Sequence, residues 1–182
     1  MPALMVLFAS AQSPAPGDPA QVWCTTVPVP RADLPSLSSN VDTQTIHEQR
    51  ALPCRPLDVR TARTTLHLAL ADDEARREHG LMNVPFVPAG QGMLFAFADG
   101  DQRRSFWMKN TIASLDMLFV NADGTITSIA ANVPATAPGT SDDQVARREG
   151  VGRYVIELAA GDAARLGLRV GDRLSIPPVG AR

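Results

Sequence analysis

A chain of 182 residues with 45% hydrophobic and 20% charged residues has the balance of one globular core, with residues to spare for a tail. Its formal net charge of -2, with the arginine pairs Arg76-Arg77, Arg103-Arg104 and Arg147-Arg148 interspersed with acids, excludes the one-signed field that holds nucleic acid. Beyond the N-terminus no apolar run is long enough for a membrane span, so no stable transmembrane anchor is expected.

The N-terminal MPALMVLFASAQS carries a short apolar run followed by Ala9-Ser10-Ala11, an A-x-A pattern suited to signal peptidase, although no cation precedes it. Residues 1–11 are read as a truncated signal peptide, which makes the protein exported and periplasmic. Residues 12–61 are rich in Pro, Ser, Thr and Asp without helical or strand periodicity, and read as a flexible arm. The two cysteines, Cys24 and Cys54, lie in it. In an oxidising compartment they would close one disulfide, worth about 3 to 4 kcal/mol in the chain-entropy model. With no C-x-x-C and no histidine at ligand spacing, no metal and no cofactor is expected.

The globular part is placed at 62–178, leaving 179–182 as a tail. Thr64 to Ala71 is a strand candidate. Asp72-Asp73-Glu74 then opens a short helix that ends in Arg76, Arg77, His79 and Gly80, with acids and bases placed to complement the helix dipole and a glycine for the left-handed cap. His79 reads as a helix-end cation and His67, between leucines, as a structural histidine. Further strands are expected at 92–97, 105–109, 115–121, 125–133, 153–158 and 173–176. Asn121-Ala122-Asp123-Gly124 is a hairpin turn, and a second helix runs from Gly161 to Leu166. Residues 134–152 read as one long loop with the length of a lid. The fold class is therefore α+β: mostly antiparallel β, in a compact barrel-like or strongly curved sheet with two short helices.

HGLM at 79–82, GMLFAF at 92–97, FWMKNT at 106–111, LDMLFVNADG at 115–124, RYVIELAAG at 153–161 and GDRL at 171–174 together resemble the domain-of-unknown-function 192 family, small bacterial and archaeal proteins that are often exported. The resemblance covers about residues 62 to 178. It implies a compact, mainly β domain with short helices and no agreed biochemical activity. The chain departs from the family pattern at Ser114, where a proline usually precedes the Leu-Asp pair, and a looser turn is expected there.

Lys109 is the only lysine beside sixteen arginines. If 105–109 and 115–121 form a hairpin, Lys109 lies opposite Asp116 and Met108 opposite Met117. Phe106, Met108, Met117 and Phe119 then share an apolar face, and Trp107, Lys109, Asp116 and Leu118 share the other. Glu157, on the polar side of its own strand, would join Lys109 and Asp116 if that side adjoined them. Three readings stay open for this group: an ion pair that closes a sheet end, a ligand site, or an enzyme. In the ligand site Lys109 meets an anionic or carbonyl oxygen, Trp107 is a flat wall, and Asn110 and Thr111 supply polar contacts. In the enzyme Lys109 acts with Asp116 and Glu157 as acid-base or covalent groups. Met82, Met93, Met108 and Met117 raise a fourth reading, Cu(I) held by thioethers. The expected partner is a small molecule or another envelope protein.

Overall fold

The computed structural model describes residues 55–180 except Pro85. The expected signal peptide, the two cysteines and the arm as far as residue 54 lie outside the described residues. Among the described residues eight strands and two short helices follow one another as β1 (Pro56–Arg60), β2 (Thr65–Ala71), α1 (Glu74–His79), β3 (Gln91–Ala96), β4 (Gln102–Trp107), β5 (Leu115–Val120), β6 (Ile126–Val133), β7 (Arg147–Gly152), β8 (Tyr154–Ala159) and α2 (Asp162–Arg165).

Six strands form one sheet in the order β1-β2-β3-β8-β5-β6, while β4 and β7 form a separate two-stranded ribbon. All neighbours are antiparallel except β2 and β3, whose parallel pairing needs a crossover, and α1 lies in it. Mostly β with two short helices is thus the architecture. Edge strands β1 and β6 do not pair with each other, but the segment 172–175 bonds to both. Ser175 and Arg60 exchange backbone hydrogen bonds of 2.8 and 3.1 Å, and Leu174 N–H donates to Gly124 O at 2.8 Å.

Both faces of the central strands are covered, which is why β5 reads as an unbroken LDMLFV and is buried at every position. On one face Leu66, Leu68, Leu94, Leu118, Ile156 and Leu158 pack with Ala163 of α2 and Leu168 beyond it. On the other, Ala69, Met93, Phe95, Met117, Phe119 and Val155 pack with Leu81, Val87 and Met108. The ribbon presses on that second face. Phe106 of β4 meets Phe95 edge-on at 4.9 Å between centroids and Phe119 at 6.3 Å. The approach requires glycine: a Cβ on Gly150 would fall 2.3 Å from the Phe119 ring, and one on Gly152 would fall 2.5 Å from Val120 O.

Several expectations hold locally. α1 is capped by Asp73, whose carboxylate accepts from Arg76 N–H at 2.9 Å, and Gly80 closes it at φ 51°. The 121–124 turn joins β5 to β6, with Gly124 at φ 87°. His67 bonds Asp58 at 2.8 Å on the sheet edge. Half-burial holds the His79 imidazole below its usual pKa, so it is a weaker helix-end cation than its position suggests.

Other expectations fail. The 105–109/115–121 hairpin does not form. β4 pairs instead with β7, Phe106 opposite Arg148 and Trp107 opposite Arg147, while β5 lies between β6 and β8. The 134–152 stretch is therefore not all loop, since its last six residues are β7. Likewise β1 occupies 56–60, inside the stretch read as arm, and pairs with β2. Val179, placed in the tail, is buried in the first cluster.

Candidate functional site

β4 ends at Trp107, and the chain then turns tightly. Thr111 N–H donates to Met108 O at 3.0 Å, and Asn110 adopts φ 53°, a left-handed conformation that Asn tolerates better than most residues. The turn is fixed from both sides. Asn83 N–H donates to Asn110 O at 2.8 Å, and Thr136 N–H donates to Thr111 O at 2.8 Å. Thr111 is buried, its hydroxyl donating to Lys109 O at 3.2 Å. Ser114 does not loosen this loop. Its hydroxyl accepts from Ala135 N–H at 3.1 Å and its carbonyl from Ala160 N–H at 3.0 Å.

Strand alternation sends Phe106 and Met108 inward, while Trp107, half-buried, packs against the edge of the second cluster with Lys109 beside it. There the indole has two cationic neighbours: Lys109 Nζ lies 4.9 Å from the ring centroid and the Arg147 guanidinium 4.6 Å. Arg147 is the cross-strand partner of Trp107, so the ladder itself sets that contact. Lys109 donates to Asp142 Oδ2 at 2.9 Å, a pair at which the side chains are 36% and 60% exposed. So open a pair exchanges readily with water or with another anion.

Asp116 is not part of this cluster. It is fully buried, and its carboxylate accepts three backbone N–H groups: Asn132 at 2.8 Å, Gly161 at 3.1 Å and Ala163 at 2.8 Å. Gly161 caps α2 without a side chain of its own, and Asp116 reaches across from β5 to supply the missing acceptor. The expected Lys109–Asp116 pair is thereby corrected: the lysine's carboxylate partner is Asp142, and Asp116 is a capping group.

Glu157 points the other way. Asp116 stands opposite Leu158 and Met117 opposite Glu157, so the two carboxylates project from opposite faces of the sheet and share no cation. Across the sheet one row runs Ala69, Met93, Glu157, Met117, Ala130. Glu157 is 5% exposed as a residue, and its carboxyl has no hydrogen bond or ion pair among the described residues. Desolvation pushes its pKa from an ordinary 4.5 up to about 8, so at neutral pH it is mostly a protonated acid and a donor. Met108 packs in the same cluster as Met93 and Met117. Among the described residues no three His, Cys, Asp or Glu side chains come together in a way that could hold a metal ion. No helix among them is long and apolar enough to cross a membrane.

Of the six expected site residues, then, Trp107, Lys109, Asn110 and Thr111 lie together on one turn, while Asp116 and Glu157 lie elsewhere. Sequence reasoning passed over Arg147 and Asp142. An arginine and an aspartate in a stretch read as loop give no signal until the ribbon pairs 147 with 107.

The model of a family described as uncharacterized ACR, DUF192, matches residues 57–176. The chain belongs to the DUF192 family. The match starts inside β1, so the first strand is part of this DUF192 domain. Two solved structures are similar to it. One is a "putative transcription regulator" from Sinorhizobium meliloti 1021, 38% identical, covering 68% of this chain and 93% of that one, with a TM-score of 0.57. The other is a protein of unknown function from Novosphingobium aromaticivorans DSM 12444, 27% identical, covering 79% of this chain and 94% of that one, with a TM-score of 0.55. No curated protein matches this DUF192 chain.

Proposed function

We propose that this DUF192 domain is an exported small-ligand-binding module whose recognition surface is the Trp107 turn. The observation that carries the reading is the indole with Lys109 at 4.9 Å and Arg147 at 4.6 Å, on a turn whose backbone is tied down at both Asn110 and Thr111. Two cations held over an aromatic ring suit a planar anion, which meets their charge at the ring's edge and replaces Asp142 beside Lys109. The polar side chain of Asn110 stands at the rim. The segment 172–175, bonded to both edge strands, supports a barrel-like body that carries this surface at one side.

Transcription regulation, the role attached to one relative, fits less well. Arg103 is paired with Glu149, Arg104 with Asp99 and Lys109 with Asp142, so the ribbon offers no unbroken cationic stripe to phosphates.

The test is a titration with benzoate, followed by Trp107 fluorescence in a Trp23→Phe background, with uncharged benzamide as the comparison. Saturable quenching by benzoate that weakens in Lys109→Gln and Arg147→Gln is expected. Linear quenching, equal for both probes and all variants, would overturn the reading. Lys109→Arg separates binding from covalent chemistry. Charge recognition survives that exchange, whereas a reaction through the lysine amine does not.

The Met93–Glu157–Met117 row favours a second reading, capture of Cu(I) by the thioethers with Met108. It predicts that Cu(I) raises the melting temperature and that Met93→Leu with Met117→Leu abolishes the rise. An unmoved melting temperature in the unsubstituted protein would remove it.

A further inference from the structure

At the turn between β1 and β2 a cleft of about 150 Å³ opens between Thr61–Arg63 and the 166–174 segment that follows α2. Arg63, Arg169 and Arg173 line it together with one acid, Asp172. Three guanidinium groups against one lining carboxylate leave positive charge in excess, although the Asp123 carboxylate, outside the lining, also acts on Arg173. The Asp172 carboxylate is already engaged, accepting from Arg169 N–H at 2.9 Å. Two of the three arginines are not. Arg63 and Arg169 make no side-chain hydrogen bond or ion pair among the described residues. Among the described residues Arg173 gives only its Nε–H, to Asp123 O at 2.9 Å, and its terminal amino groups make no hydrogen bond.

One of these cations lies against bare backbone. Gly167 has φ 68°, and a Cβ built on it would fall 2.3 Å from Arg63 Nη1, so the guanidinium lies against the bare backbone that only glycine leaves open. Five arginines elsewhere among the described residues are paired with acids: Arg55 with Asp72, Arg76 with Asp73, Arg103 with Glu149, Arg104 with Asp99 and Arg165 with Asp162. Converging guanidinium groups repel one another and are relieved by an anion whose oxygens accept from several at once. The volume equals about five waters at about 30 Å³ each. That is room for one tetrahedral group and a few waters.

We infer that this cleft is a second binding site, for a doubly charged phosphoryl oxyanion held by Arg63, Arg169 and Arg173. The ion comes either as free phosphate or as the head of a phosphomonoester. Both present the same oxygens to the arginines.

The experiment is a backbone amide NMR titration of the full chain with inorganic phosphate and, separately, phenyl phosphate, against sodium chloride at matched ionic strength. Saturable shifts centred on Gly167, Leu168 and Arg169, absent with chloride, are expected. Arg63→Gln and Arg169→Gln should each weaken binding about tenfold or more, the worth of a charge-assisted hydrogen bond. Lys109→Gln should leave it unchanged, which keeps this site separate from the Trp107 surface. Tighter binding of phenyl phosphate points to an ester as the ligand, and tighter binding of inorganic phosphate to the free ion. Shifts that match those in chloride, or affinities unchanged in both arginine variants with the amide spectrum otherwise preserved, would overturn the site.

Discussion

Replacing Glu157 with glutamine tests the most unusual feature of the core. The carboxyl faces Met93 and Met117 with no polar partner among the described residues, and its pKa is raised from 4.5 to about 8 by desolvation alone. In the unfolded chain the group ionises near 4.5, while in the folded protein it keeps its proton until about pH 8. Between those values the folded state binds more protons than the unfolded state, so stability falls as pH rises and levels off above about 8. The gap of about 3.5 pH units, 8 minus 4.5, at about 1.36 kcal/mol each, gives a total loss of about 5 kcal/mol, of which about 3 has accrued by pH 7. Glutamine fills nearly the same volume, stays neutral and cannot titrate. Its amide has its own burial cost, but that cost does not vary with pH. Urea unfolding of both proteins at pH 5, 7 and 9 isolates the effect, because every other titrating group cancels in the difference. The wild type should lose several kcal/mol relative to Glu157→Gln from pH 5 to pH 9, at unchanged m-value. Curves that stay parallel would refute the reasoning and mean that the carboxyl reaches water or an ionised partner.

Asp116→Asn leaves one acceptor oxygen for three N–H donors and turns an amide NH₂ toward them, which should destabilise by about 3 kcal/mol in urea at neutral pH. Gly92→Ala sets a Cβ 1.9 Å from Glu157 O, at one end of the β3–β8 ladder. A loss of about 3 kcal/mol is expected, read as a lowered urea midpoint. By contrast, a double-mutant cycle of Lys109→Ala and Asp142→Ala should return a coupling under about 1 kcal/mol, shrinking further at high salt, because the pair is open to solvent. A larger coupling would mean that the lysine is committed to Asp142 and closed to an incoming anion.

What the sequence made legible was the part governed by neighbours in the chain. The capping aspartate and terminal glycine of α1, the 121–124 turn and the buried run of β5 are local patterns, and each appears where it reads. The two elements that escaped were β1 and β7. β1, Pro56–Arg60, is an edge strand with one fully buried residue, Val59, so it carries almost no alternation. β7 reads Arg-Arg-Glu-Gly-Val-Gly, poor in every strand-forming residue but one, because its glycines serve the ribbon's approach to Phe119 and Val120 and not the strand itself. Missing β7 removed the true partner of β4. The hairpin with β5 was the remaining candidate, and it placed Lys109 beside Asp116. The apolar set Phe106, Met108, Met117 and Phe119 does gather in one cluster, though by stacking of the ribbon on the sheet and not by strand pairing. Side-chain alternation was thus a safer guide to what packs together than to what hydrogen-bonds.

The contrast between Asp116 and Glu157 bears on function more than either residue does alone. Both are acids at interior positions of neighbouring strands, and both are buried. One face of the sheet receives the start of α2, whose orphan N–H groups need an acceptor, and Asp116 supplies it with all three bonds in place. The other face receives Phe106, Met108 and the 80s loop, which bring no donor to Glu157. Its raised pKa corresponds to a cost of about 5 kcal/mol at high pH, a large fraction of the total of about 5–15 kcal/mol available to a domain. Leucine or methionine at 157 would remove that cost and continue the row between Met93 and Met117. Packing therefore explains Asp116 and leaves Glu157 without a polar partner among the described residues, which is why the proposed Cu(I) capture is tested at the methionine face.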